Sequence, residues 1–151
     1  MLYSDRVLHY FLDPAHGGQM ERPDGVGQVG DITCGDLLVM FIRVDNERLV
    51  EISYQVFGCP AAIATCEAVA EMATDKTLEE AQEISDAVVA DLLGGLPEVK
   101  LHCSGSAAEA LHRAIADYRI RQDRQRSETS VAASAEEHPR KNKEVEKNAT
   151  R

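Results

Sequence analysis

Two apolar runs, Leu37 to Val44 and Leu49 to Val56, flank Asp45-Asn46-Glu47-Arg48, and this pattern constrains the fold more than any other in the chain. In the second run Val50, Ile52, Tyr54 and Val56 alternate with Glu51, Ser53 and Gln55, so each set occupies one face of a strand. The polar residues between the runs read as a hairpin turn. A short strand is expected ahead of them, around Gln28 to Ile32. The result is a small antiparallel sheet with one buried face.

Helices are expected on either side. Ser4 followed by Val7, Leu8, Tyr10 and Phe11 predicts a capped amphipathic helix. It ends near Asp13-Pro14, since proline disfavours helix at the residue before it. Residues 16–30, with five glycines and Pro23, read as loop. Pro60 suits a first helical turn, and Ala61 to Ala73 continue it with Ile63, Cys66, Ala70 and Ala73 near one face. Thr77 with Glu80 forms a capping box. Ser85 is a candidate cap for a helix that ends at Gly94-Gly95-Leu96-Pro97. Ser106 with Glu109 reads as a second capping box, opening a long helix through Leu111, Ala114, Ile115 and Tyr118.

Charge narrows the partners. Residues 1–120 carry 8 basic and 20 acidic side chains. Phosphate binding needs clustered Lys and Arg, so nucleic acid is excluded as the main partner. The acidic body suits basic protein surfaces or cations. Beyond about residue 121 apolar residues nearly vanish, leaving too little surface to offset ordering entropy. A domain over 1–120 and a polar tail over 121–151, a helical extension or disordered, are therefore expected. No apolar run approaches the roughly 18–20 residues of a membrane helix, and Met1–Asp13 resembles neither a secretory signal nor an Arg-rich presequence. The expected location is the cytoplasm, where thiols stay reduced. Four cysteines there point to metal or redox chemistry rather than disulfides.

Three of the four stand at junctions between elements: Thr33-Cys34-Gly35-Asp36, Phe57-Gly58-Cys59-Pro60 and Lys100-Leu101-His102-Cys103. Junctions are where ligands from distant parts of a chain converge. Thiolate sulfur suits iron–sulfur clusters, zinc and copper(I), while Asp36 and His102 add a carboxylate and an imidazole. Helix N-termini and nearby cations favour reactive thiols, which singles out Cys59, and Cys103 with His102 and Lys100 beside it. There is no Cys-x-x-Cys pair, so zinc-ribbon and thioredoxin-type motifs are excluded. Cys66, two helical turns after Cys59, reads as buried packing. His9, His16, His112 and His138 read as surface or tail residues, and the acidic positions of 79–91 as a solvated helix face.

These segments together resemble the U-type scaffold family, IscU and the N-terminal domain of NifU. The resemblance rests on Tyr3-Ser4-Asp5-Arg6-Val7 with Pro14 and Gly17, on Cys34-Gly35-Asp36, and on Phe57-Gly58-Cys59-Pro60-Ala61-Ala62-Ile63-Ala64. It extends through Leu96-Pro97-Glu98-Val99-Lys100-Leu101-His102-Cys103 and Ala114-Ile115-Ala116-Asp117-Tyr118, covering roughly residues 1–120. It implies an α+β fold: a three-stranded antiparallel sheet packed with helices, the last of them long. It also implies a cluster assembly scaffold rather than an enzyme. A cysteine desulfurase of IscS or NifS type would supply persulfide sulfur. Iron would join it as a [2Fe-2S] or [4Fe-4S] cluster, and apo-proteins, a ferredoxin among them, would receive it. By position, Cys34, Cys59 and Cys103 would be cluster ligands and Cys103 the sulfur acceptor. Asp36 would set cluster lability, and Asp36 and His102 would be candidate fourth ligands. A cluster shared between two copies, as a homodimer, also fits.

Glu98 departs from the family's Leu-Pro-Pro-Val-Lys segment, which weighs against an Hsp70-type chaperone partner and favours a structural turn. Zinc is expected to occupy the same site readily. The alternative is a zinc-dependent sulfur-accepting transferase of SufU type, but such proteins carry about twenty extra residues before the third cysteine. The 44 positions from Cys59 to Cys103 leave no room for them. A purely structural zinc domain would favour four firm Cys or His ligands, against which Asp36 stands out.

Overall fold

The computed structural model describes residues 3–31, 36–95 and 101–149; at 31, 36, 101–105 and 133–149 it describes backbone only. Its elements run α1 (Asp5–Leu12), β1 (Gly25–Asp31), β2 (Asp36–Asp45), β3 (Arg48–Phe57), α2 (Pro60–Ala73), α3 (Leu78–Gln82), α4 (Asp86–Leu92) and α5 (Leu101–Ala149). The strands form one antiparallel sheet in the order β1-β2-β3. The α+β class and the three-stranded sheet expected from the sequence are what the chain adopts.

The hairpin closes as its residues dictate. Asp45 pairs with Arg48, and Asn46 and Glu47 between them take positive φ of 54° and 62°. That is the backbone of a two-residue I′ turn, which matches the right-handed twist of the strands. Alternation sorts the sheet's faces beyond Glu51. A register shift between Arg43 and Val44 leaves Val50 without a partner on β2, so Leu49 turns inward and Val50 is exposed instead of sharing the buried face of Ile52 and Tyr54. Leu38, Met40, Ile42, Ile52 and Tyr54 are all buried against the helices, whereas Glu51 and Gln55 are exposed. Met40, Ile42, Leu49, Leu111 and Ile115 are completely enclosed, each contributing about 1.5–3 kcal/mol of burial.

Caps fix the helix starts. Ser4, Thr77 and Ser85 each accept a hydrogen bond from the backbone N–H three residues on, at Val7, Glu80 and Val88. Each satisfies an N–H that the helix itself leaves without a partner. Ser4 also donates to the Leu93 carbonyl and Arg6 to that of Leu92, tying α1 to the end of α4. Gly94 and Gly95 there adopt φ of 77° and 91°, which stops α4.

Two boundaries differ from the sequence reading. β1 begins at Gly25, inside the stretch read as loop. Gly25 and Gly27 pair with Ile42 and Met40 on the buried face. A Cβ at either would overlap a carbonyl oxygen of α5, that of Ala114 or of Ala110. These glycines are there for close approach of a helix to a strand rather than for loop freedom. The last helix begins at Leu101 rather than at Ser106, so Cys103 lies in its first turn instead of ahead of it.

Met1–Tyr118 forms one compact unit and Arg119–Arg151 another. The described backbone of the second, to residue 149, is helix, and over 119–132 nearly every side chain is exposed. Among the described residues no helix is long and apolar enough to cross a membrane.

Candidate functional site

Backbone geometry brings most of the expected site to one end of the sheet. β2 starts at Asp36, which pairs with Asp31 at the end of β1. The next residue, Leu37, pairs with Phe57 at the end of β3. Gly58 follows, and Cys59 is the N-cap of α2. The last helix runs antiparallel to β1, because Ala114 sits on Gly25 and Ala110 on Gly27, and Arg113 donates to the Gln28 carbonyl at 2.7 Å. Seven residues back along α5 from Ala110 is about 10 Å, and four residues on along β1 from Gly27 is about 13 Å. The first turn of α5, with His102 and Cys103, therefore stands at the same end as Asp36 and Cys59. Cys34 and Lys100 lie outside the described residues, as does the Leu96–Lys100 segment weighed as a chaperone site. Of the Asp36, His102 and Cys103 side chains only the backbone positions are described. Among the described residues no three His, Cys, Asp or Glu side chains gather as a metal cage.

Cys59 is the one expected ligand described with its side chain. It is half-buried, with extended backbone at φ −81° and ψ 168°. Its carbonyl accepts from the amides of Ala62 (3.0 Å) and Ile63 (3.3 Å). Pro60 has no N–H to offer, and the Cys59 side chain makes no capping hydrogen bond. The thiol is thus left without a capping role at the start of α2. It packs against Ala61 and Ala62, with Val56 and Tyr3 alongside. Cys66 is completely buried in the main core, as its position predicts.

One arrangement escaped the sequence reading. Glu67, in the middle of α2, is only 3% exposed, and its carboxylate accepts four hydrogen bonds. Oε1 takes the Ala15 amide at 2.9 Å and the His16 ring Nδ1 at 2.6 Å. Oε2 takes the His16 amide at 3.1 Å and the Tyr54 hydroxyl at 2.6 Å. An ionised carboxylate only accepts, so Nδ1 of His16 carries the proton. His16 is therefore a partner of a buried acid rather than a plain surface residue. The same loop pairs with the edge of β3: Tyr54 N–H donates to the His16 carbonyl and Gly18 N–H to that of Tyr54, at 3.2 and 2.8 Å.

Burial alone would push the Glu67 carboxyl up. The donors from Tyr54, His16 and Ala15 outweigh it and hold the group below its usual 4.5. The Tyr54 hydroxyl is pushed up, first by burial and then by Glu67. A carboxyl held low in the folded state contributes stability that is complete above its unfolded value and is lost as pH falls through the folded one. Urea midpoints measured from neutrality to about pH 3 are therefore expected to fall for the parent and to fall less steeply for Glu67→Gln.

The sequence also matches known proteins. A family described as the NifU-like N-terminal domain matches residues 2–125. The chain belongs to that family. The iron–sulfur cluster assembly scaffold protein IscU 1 of Archaeoglobus fulgidus is 51% identical over 117 residues, covering 78% of this chain and 76% of that one. IscU of Aquifex aeolicus is 35% identical over 137 residues, with 89% and 87% covered. The nitrogen fixation protein NifU of a Nostoc species is 45% identical over 125 residues, and the match spans 42% of its length. Among solved structures, a SUF-system cluster assembly scaffold protein from Fervidobacterium islandicum aligns with a TM-score of 0.60 at 19% identity, covering 75% of this chain and 96% of that one. A NifU-like N-terminal domain from Brucella abortus aligns at 0.51 and 20%, covering 80% and 81%. At such identities these structures support the NifU-N-like fold alone.

Proposed function

We propose that this chain is a scaffold on which an iron–sulfur cluster is assembled from iron and desulfurase-derived sulfur, then passed to apo-proteins. The reading is supported by the backbone of Asp36, Cys59 and the His102–Cys103 turn lying toward one end of the sheet, in a member of a family whose relatives bear the scaffold name. The cluster is cargo, and the chain's work is to hold it and let it go. Cys34, Cys59 and Cys103 are its ligands in this reading, on a domain of residues 1–120 with 121–151 as an extension. Cys103 accepts the sulfur, with Lys100 beside it. The cargo is a [2Fe-2S] or [4Fe-4S] cluster, the sulfur donor a cysteine desulfurase and the site of action the cytoplasm.

Soft thiolates hold iron–sulfur cargo firmly, and a harder carboxylate or imidazole at the fourth position holds it less firmly. Asp36 at the head of β2 therefore serves release. Asp36→Ala is expected to retain its cluster longer than the parent against a chelator. A variant that loses its cluster as fast as the parent would refute this role.

Anaerobic reconstitution with ferrous iron, cysteine and a cysteine desulfurase, followed by mixing with apo-ferredoxin, tests the function. The expected result is a visible absorption that depends on the three cysteines and passes to the ferredoxin. Tightly held zinc with persulfide on Cys103 and no cluster would instead establish the sulfur-accepting transferase.

A further inference from the structure

The four bonds to Glu67 join three elements that are far apart in sequence: the Ala15–His16 loop, β3 through Tyr54, and α2 itself. The loop so held runs beside β3 and ends its pairing at Tyr54. Directly beyond lies a shallow cavity of about 290 Å³, walled by Pro14, Gly17 and Gly18 of the loop, Val56 and Phe57 of β3, and Ile63 of α2. Val56 also packs on Ala61 and Ala62, the same pair on which Cys59 packs. Glu67 thus clamps the wall of a groove whose β3 side ends at Phe57, two residues before Cys59, and whose α2 side is Ile63, one turn before Glu67.

We propose that Glu67, with His16 and Tyr54, is a positioning residue for cluster holding: it fixes the Pro14–Gly18 wall and the first turn of α2, and so sets how far water and reagents reach Cys59. This rests on the scaffold reading for what Cys59 holds, but the clamp acts on the thiol whether or not a cluster is present. A carboxylate fills the role because two of its four donors are backbone amides with no other acceptor among the described residues, and the other two converge on the same two oxygens. Glutamine keeps the size, but its NH₂ can donate only, so one side of the clamp is left facing donors. Tyr54→Phe removes a single donor and leaves the other three.

The test begins with the apo-protein, in which alkylation of each cysteine is followed by peptide mass spectrometry and exchange of the Gly18 amide by hydrogen–deuterium measurement. Loss of one charge-assisted bond lowers the cost of local opening enough to raise its population about tenfold. Cys59 alkylation and Gly18 exchange are expected to rise together by about that factor in Tyr54→Phe and by more in Glu67→Gln, with Cys66 still protected. In the reconstituted protein the same variants are expected to shift the visible circular dichroism of the cluster and shorten its lifetime against a chelator. A variant that only weakened the fold would lower the melting temperature and leave that spectrum unchanged. Gly18 exchange that rises while Cys59 alkylation stays at the parent rate in both variants would overturn the inference. A parent that holds no cluster while Cys59 alkylation still follows the clamp would leave the clamp standing and remove the scaffold reading. Should Glu67→Gln fail to fold, Tyr54→Phe decides by itself, since the phenyl ring fills the same volume.

Discussion

Gly27→Ala is expected to lower stability by about 3 kcal/mol, the upper range for forcing a methyl group into a packed interior. The added Cβ would overlap the Ala110 carbonyl oxygen, come against the Ala114 amide nitrogen and press on the Arg113 side chain. Two of these are helix backbone and cannot rotate away, so α5 or β1 has to shift. In a unit of this size the loss corresponds to a fall of about 10 °C in Tm. Gly17→Ala is the control, because a Cβ there meets nothing within 4 Å. It is expected to change stability by less than about 0.5 kcal/mol. A Gly27→Ala protein melting within about two degrees of the parent would mean that the close approach of α5 to β1 is wrong. The substitution also reaches function, because the helix it displaces carries His102 and Cys103 in its first turn. Faster loss of a reconstituted cluster should accompany the lower Tm.

What could be read from the sequence, and what could not, follows from how local each cause is. The β2–β3 hairpin was legible because alternation and turn sit side by side in the chain. The start of α2 was legible because Pro60 can stand only in a first turn. The Thr77 and Ser85 caps act over three residues, and their hydrogen bonds form as expected. Gly25 and Gly27 were misread because glycine in isolation signals loop. Their reason is a helix more than eighty residues further on. Ser106-x-x-Glu109 misled in the opposite direction: a local capping pattern was overridden by a helix already running from Leu101. Glu67 had a signal that went unused. Ile63 and Ala70, its i−4 and i+3 neighbours, share the apolar face of α2, so a carboxylate between them has to be buried and partnered. Nothing local names its partners, since His16 and Tyr54 lie 51 and 13 positions away.

Cys59→Ala is expected to have the largest effect on function. Changes to the supporting shell of a metal site cost about 10–100-fold in affinity, so if Cys59 is the ligand proposed above, its removal should shorten cluster lifetime by at least about 100-fold. Loss of visible absorption under a chelator measures it. Stability should hardly change, because Cys59 is half-buried at a helix cap whose side chain makes no capping bond. Cys66→Ala has the opposite profile. Its sulfur is wholly enclosed, so removal costs about 1 kcal/mol of packing and leaves the cluster's spectrum and lifetime as in the parent. The pair separates two roles for cysteines on one helix, seven residues apart. If Cys66→Ala shortened cluster lifetime as much as Cys59→Ala, the ligand set would have to include the buried thiol. The core would then have to open to admit iron, and the site proposed at the sheet end would no longer account for the function.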